Sequence, residues 1–378
     1  MIYLDNAATT LPKPPSVTAA VNRALLTMSS PGRGVYAPAM RASNVLLDCR
    51  IAAAELFHVP EPEQVIFTFN ATHALNLAIR TLAEPDSHVL ISGFEHNAVT
   101  RPLHALGCKV RIAGRRLFDP ADTLSAFREA IDWASLVVCT QVSNVFGYIL
   151  PIAEIALLCH EKNIPLILDC SQSAGMIDLD FASLGADFAA MPGHKGLLGP
   201  QGTGLLLCKD SAMPLLYGGT GSDSLSQNMP PYLPDRLEAG THNMPGVAGL
   251  LAGIRAVQSR GISRILAHEQ HLLSIMLDRL KAEPRLELFS DGGSNQSGVL
   301  SLRCRGLDSE TLAAALGERG ICVRGGLHCA PCAHESAETA PDGTVRFSPS
   351  PFTTEEQILT ASDTLLRIVH SKSDKMIL

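Results

Sequence analysis

The 378 residues are 46% hydrophobic and 18% charged, the make-up of an ordinary globular enzyme with room for one large α/β domain and a smaller partner. A formal net charge of −7 without a long basic run excludes a nucleic-acid footprint, and no apolar run reaches the roughly 20 residues of a bilayer span. MIYLDNAATT has no basic or apolar leader region, so no secretory signal is expected; the ten cysteines then read as cytoplasmic thiols rather than a disulfide framework.

From Gln64 to Lys209 short β-rich runs alternate with helical stretches. The strand candidates are 64–69, 88–92, 109–113, 135–141, 165–170, 186–191 and 202–208. Helix candidates at 72–83 and 151–163 stand between them. This alternation predicts an α/β fold with a mostly parallel seven-stranded sheet covered on both faces. The last two runs are joined by a glycine loop instead of a helix, which leaves their relative direction open. Residues 213–246 are rich in Gly, Pro and Ser and predict long loops. Helices are expected near 247–259 and 263–283. The tail predicts a small α+β domain, with LELFS, GVLSLRC, ICVRGG and GTVRFS as strands and helices at 309–319 and 354–369.

Open parallel sheets bind ligands at the carboxyl ends of their strands. Asn70 and Thr72, Glu95 and His96, Ser143 and Asn144, Asp169, and His194 and Lys195 all follow predicted strands. Taken singly, Asp169 reads as a cap, Asn144 with Gly147 as a turn, and His96 and Lys195 as surface residues. Their convergence on one crevice argues for a site.

MPGHKGLLGPQGTG, residues 191–204, raises the question of what its lysine does. Lys195 precedes most of the glycines and is followed by Gly196, so the order required of a magnesium-nucleotide loop is absent. No G-x-G-x-x-G opens a helix after the first strand, which disfavours a dinucleotide. A lysine on a tight loop facing an acid at a neighbouring strand end suits pyridoxal 5'-phosphate. That cofactor needs an amine for its Schiff base and a carboxylate at its pyridine nitrogen.

YLDNAATT, EHNA, SNVFG, DCSQS, GHKGLLGPQGTG, RLEAGTHN, VRGGLHCA and GTVRFS follow one another from end to end. On these motifs the chain resembles the class V, fold type I pyridoxal phosphate enzymes, and more narrowly the cysteine desulfurases and selenocysteine lyases. The resemblance implies a large cofactor-binding α/β domain over 13–250 and a small α+β domain formed by 1–12 and 251–378. It implies that Lys195 forms the Schiff base, Asp169 pairs with the pyridine nitrogen, Gln172 reaches the ring's phenolic oxygen, and His96 stacks on the ring and helps move protons. Thr72, Ala71 and the amides opening their helix, with His194, would hold the phosphate. Thr241 would reach the phosphate of a neighbouring subunit, which implies a homodimer. Asn144, Arg324 and Arg346 would serve the substrate, an arginine fork pairing both carboxylate oxygens. Pro192 and Ala71 stand where relatives carry hydroxyls, so the phosphate would rely on amides, His194 and Thr241.

RGGLHCAPCAHE, residues 324–335, admits three readings. One is a zinc site of His328, Cys329, Cys332 and His334, for which the usual distant second ligand pair is missing. Another is a dithiol, since CAPC resembles the thioredoxin motif. The third is that Cys329 is a nucleophile activated by Arg324, His328 or the cofactor's charge. The resemblance implies the third, with no metal: the sulfur of L-cysteine or the selenium of L-selenocysteine passes to Cys329, then to an acceptor protein or small thiol. Cys332 is either a small packed residue or a resolving thiol. A class V aminotransferase or C–S lyase that does not use Cys329 is the alternative.

Overall fold

The computed structural model describes residues 1–32, 34–210 and 212–371. The chain begins with β1 (Ile2–Tyr3), α1 (Pro15–Thr27) and α2 (Ala37–Phe57). No periodic run stands out before Gln64, yet two helices lie there. In α2, Met40 and Leu47 are about half exposed while Ala42, Cys49 and Ala53 are buried. Apolar residues thus sit on both faces and blur the contrast that marks an amphipathic helix.

The central elements follow in alternation: β2 (Val65–Thr68), α3 (Ala71–Leu82), β3 (His88–Ser92), α4 (Asn97–Leu106), β4 (Lys109–Ala113), α5 (Pro120–Ala130), β5 (Leu136–Thr140), α6 (Ile152–Lys162), β6 (Leu166–Asp169), α7 (Phe181–Leu184), β7 (Phe188–Pro192) and β8 (Gly204–Cys208). They build a seven-stranded sheet in the order β2-β8-β7-β6-β5-β3-β4. Every strand expected from the sequence is present. Only β8 runs against the rest, antiparallel to both β2 and β7. The loop from β7 to β8 contains no crossover helix, and a strand that returns directly must run antiparallel.

The sheet is buried on both faces. Leu90, Val137 and Leu168 point into one apolar cluster. Their chain neighbours Val89, Ile91, Val138 and Ile167 point into the other. That is the alternation a pleated strand imposes, and it explains why β5 and β6 read as continuous apolar runs. The outer strand β4 carries exposed Lys109 and Arg111, which protect an open edge.

The remaining elements are α8 (Met244–Arg260), α9 (Ile262–Leu280), β9 (Leu286–Phe289), β10 (Leu300–Cys304), α10 (Ser309–Gly317), β11 (Ile321–Cys322), α11 (Pro331–Ser336), β12 (Val345–Phe347) and α12 (Glu355–Ser371). β12, β10 and β9 form an antiparallel sheet, and β1 pairs in parallel with β11. A separate apolar cluster joins Leu4 to residues of α9, α10, α12 and this sheet. Among the described residues no helix is long and apolar enough to cross a membrane.

Strand order places the site. After β3 the chain goes outward to β4 and then returns to β5 on the other side of β3. The β3/β5 boundary is therefore the point where connections diverge, and a crevice opens at the strand ends there.

Candidate active site

A cavity of about 240 Å³ lies at these carboxyl ends. Ala71, Thr72, His96, Asn144, Asp169, Gln172, His194, Lys195, Arg324 and Arg346 all line it. Residues that lie far apart in the sequence meet because their strands end on one edge of the sheet.

Asp169 closes β6, is 2% exposed, and accepts the Ser171 amide at 2.9 Å. Lys195 sits on the loop after β7. Two glycines are needed there by close packing: a Cβ on Gly193 would meet Thr203 Oγ1 at 2.1 Å, and one on Gly196 would meet the Ala174 carbonyl at 2.3 Å. The opening motif ties the loop down. Thr10 Oγ1 donates to the Lys195 carbonyl at 2.9 Å, and Lys13 Nζ donates to the His194 carbonyl at 2.7 Å. Loss of hydration brings the Lys195 ammonium down to about 8, with Asp169 opposing the fall. The glycines therefore fix the lysine, and the lysine presents an amine that sheds its proton readily.

His96 caps α4, its Nδ1 accepting the Ala98 amide at 3.0 Å. That bond assigns the ring a neutral tautomer, and burial holds its pKa below the usual value. Burial, then Lys195 and Lys13, bring His194 down to about 4, and among the described residues its buried Nδ1 has no partner. Asn70 caps α3 by accepting the His73 amide at 2.9 Å. The amides of Ala71 and Thr72 open this twelve-residue helix, where no preceding turn supplies acceptors. Gln172 Nε2 donates to the Ala7 carbonyl at 3.0 Å.

Arg346, on β12, is 1% exposed. It donates to Asp5 Oδ1 at 2.7 Å and to the Asn144 carbonyl at 2.9 Å, leaving Nε buried and unpartnered. Asn144 Nδ2 donates to the His328 carbonyl at 2.9 Å. Asp5 completes the arginine's setting. It lies within YLDNAATT, but a partner 341 residues away leaves no local mark.

Cys329 is exposed and does not line the cavity. Its carbonyl accepts the Asn97 amide at 2.8 Å, which fixes it beside the start of α4 and His96. Arg324 Nη2 lies 3.9 Å from its Sγ. His328 and Cys329 both have left-handed backbone, φ 51° and 57°, a costly conformation for two consecutive non-glycine residues. Cys332 opens α11 and is partly buried, with its thiol pushed up by desolvation. His328 and His334 stack on each other, and His334 bonds Thr339 Oγ1 at 2.7 Å. These two histidines pack the loop from inside. Among the described residues no cluster of His, Cys, Asp or Glu is arranged to hold a metal.

Thr241 also lies outside this cavity, as do Glu95 and Ser143, which stay in the buried core. Thr241 is exposed and borders a separate small cavity with Phe69, His73 and Gly240, beyond the start of α3. Its segment is anchored by Glu238, which accepts from Arg50 Nη1 at 2.8 Å and lies 2.6 Å from His242 Nε2.

Pyridoxal phosphate fits this donor set. One cavity is lined by a readily deprotonated amine, a buried carboxylate, the residues that open a helix, a neutral imidazole and an arginine.

The sequence profile of the aminotransferase class-V family matches residues 2–360. A probable cysteine desulfurase from Methanothermobacter thermautotrophicus is 32% identical over 97% of this chain and 94% of its own length. One from Pyrococcus abyssi is 30% identical over 98% and 95%. Among solved structures, the apo cysteine desulfurase from Thermococcus onnurineus superposes with a TM-score of 0.91 at 29% identity, covering 98% of this chain and 95% of that one. A cysteine desulfurase from Escherichia coli gives 0.87 at 25% identity over 98% and 94%. With this fold and this site, the chain belongs to the aminotransferase class V family of pyridoxal phosphate-dependent enzymes.

Proposed function

We propose that the chain is a cysteine desulfurase that converts L-cysteine to L-alanine and takes the sulfur onto Cys329 as a persulfide. One observation carries this reading. Lys195, Asp169 and Arg346 line a single cavity, and the backbone of Cys329 is bonded to the helix that begins at its wall.

When bound, the cofactor supplies an electron sink conjugated to the substrate's Cα. Asp169 would keep a proton on the pyridine nitrogen, and its burial would strengthen that contact. The amides of Ala71 and Thr72, with His194, would hold the phosphate, and Gln172 and His96 would hold the ring. Arg346 would meet the substrate carboxylate at the cavity wall, with Asn144 and Arg324 completing that pocket. Lys195 Nζ, the base of the site, takes the Cα proton. Cys329 thiolate attacks the substrate sulfur, so an S–S bond forms while the Cβ–S bond breaks. The electron pair left on carbon is met by a proton. Arg324 sets a cation beside the Cys329 sulfur throughout.

Exposure of Cys329 lets an acceptor protein or small thiol collect the sulfur. Thr241, outside its own cavity, would reach the phosphate of a second copy in a homodimer. Cys329 is an exposed free thiol, which fits a reducing, cytoplasmic setting.

The test is incubation with L-cysteine and assay of sulfide, alanine and pyruvate, for the native chain and Cys329→Ala. Sulfide and alanine that vanish with Cys329 are the expected result. Pyruvate and sulfide indifferent to Cys329 would make the protein a lyase, and amino-group exchange without sulfide an aminotransferase. Borohydride is expected to join the cofactor to Lys195.

A further inference from the structure

A second cavity adjoins the first. It measures about 40 Å³, room for two or three waters. Ala7, Gln172 and Lys195 line both cavities and form the partition between them. Gln172 bonded to the Ala7 carbonyl closes part of that wall. The smaller space has a mixed lining: Met176, Ile265 and Val299 are apolar, while Thr10, Gln172 and Ser350 bring polar atoms to its sides.

Glu269 of α9 faces this space. It is 8% exposed, and among the described residues no group donates to it or pairs with it. Its stem is held where it is: a Cβ on Gly298 would meet Glu269 Cβ at 2.5 Å, so the backbone of that turn lies flat against it. A carboxyl buried without a partner is costly, and its presence beside a cavity calls for bound water. Lys195 is the other titratable residue lining this cavity. On α9 itself, His268 is turned to the Thr353 carbonyl and His271 to Glu355.

The proposed reaction needs a second proton holder. Conversion of cysteine to alanine removes one proton from Cα, then places one on Cβ and one back on Cα. Lys195 Nζ carries the Cα proton. The proton that the substrate thiol releases is the one that Cβ later gains, and it must be held elsewhere in the interval.

We propose that Glu269 and the water behind Lys195 form a proton reservoir for that lysine, passing one proton to Nζ through the partition and recovering it in each turnover. This rests on the desulfurase reading. Glu269 acts through Lys195 and does not touch the substrate. Desolvation pushes its carboxyl up to about 8, where the Lys195 ammonium also stands, so a proton exchanges between the two at little cost.

The test uses Glu269→Gln and Glu269→Asp in the full chain. In cofactor-free protein at neutral pH, the native-minus-Gln infrared difference is expected to contain the carbonyl stretch of a neutral carboxylic acid. In loaded protein, kcat is expected to fall about tenfold in Glu269→Gln with KM within twofold, and to recover largely in Glu269→Asp. The pH dependence of the visible absorbance is expected to shift in Glu269→Gln only. A difference spectrum without that band, or kcat and absorbance titration unchanged in Glu269→Gln, overturns the proposal. If the native enzyme makes no sulfide, the desulfurase reading fails, and an absorbance titration that does not move with Glu269→Gln then sinks the reservoir as well. Sulfide production with no carboxylic acid band leaves the desulfurase standing and removes the reservoir alone.

Discussion

Glu95→Gln offers a measurement that needs neither cofactor nor substrate. Glu95 lies at the end of β3, beside His96, with 0% exposure. Ser92 Oγ donates to Oε1 at 2.5 Å and the Thr140 amide donates to the same oxygen at 2.8 Å, while Oε2 is buried without a partner. Burial outweighs the two donors and pushes the carboxyl from 4.5 up to about 8. The folded chain thus keeps a proton that the unfolded chain has released over that window. Stability from this group is full below 4.5 and is lost as pH rises towards about 8. Between pH 5 and pH 7.5 the loss amounts to about 3 kcal/mol. Glutamine keeps the acceptor oxygen and has no such proton to lose. Urea unfolding of native and Glu95→Gln protein, cofactor-free and at one protein concentration, is expected to give stabilities that diverge by about that amount across the range, in the variant's favour as pH rises. Parallel stability curves would mean that Glu95 is ionised in the fold and would refute the reasoning.

Two further outcomes follow from buried charges. Arg50→Met leaves Glu238 in the core with only His242 and the Phe67 amide, and is expected to cost about 3–5 kcal/mol in unfolding free energy. The same change frees the segment that carries Thr241, so the dimer proposed above should weaken when its mass is followed by dilution. Arg346→Lys keeps a charge but loses the fork shared between Asp5 and the Asn144 carbonyl. KM for L-cysteine is expected to rise about 10- to 100-fold, the worth of one lost charged hydrogen bond, with a smaller change in kcat.

The parallel sheet and the polar residues at its strand ends were legible in the amino-acid order. Strands buried on both faces produce unbroken apolar runs such as LVVCT and LILD, and the residue that ends each run faces the crevice. The glycines around Lys195 were equally visible, although their reason, close approach to Thr203 and to the 174 carbonyl, is a matter of packing. Other features came from the tertiary structure alone. The reversed direction of β8, the Asp5–Arg346 pair, the seat of Thr241 outside the cavity, and the burial of the Glu95 and Glu269 carboxyls depend on segments brought together from distant parts of the chain. Periodicity records what a residue's near neighbours along the backbone require. The hydration and the partner of a charged group are set by whichever elements the topology packs against it, and no short stretch of sequence contains both.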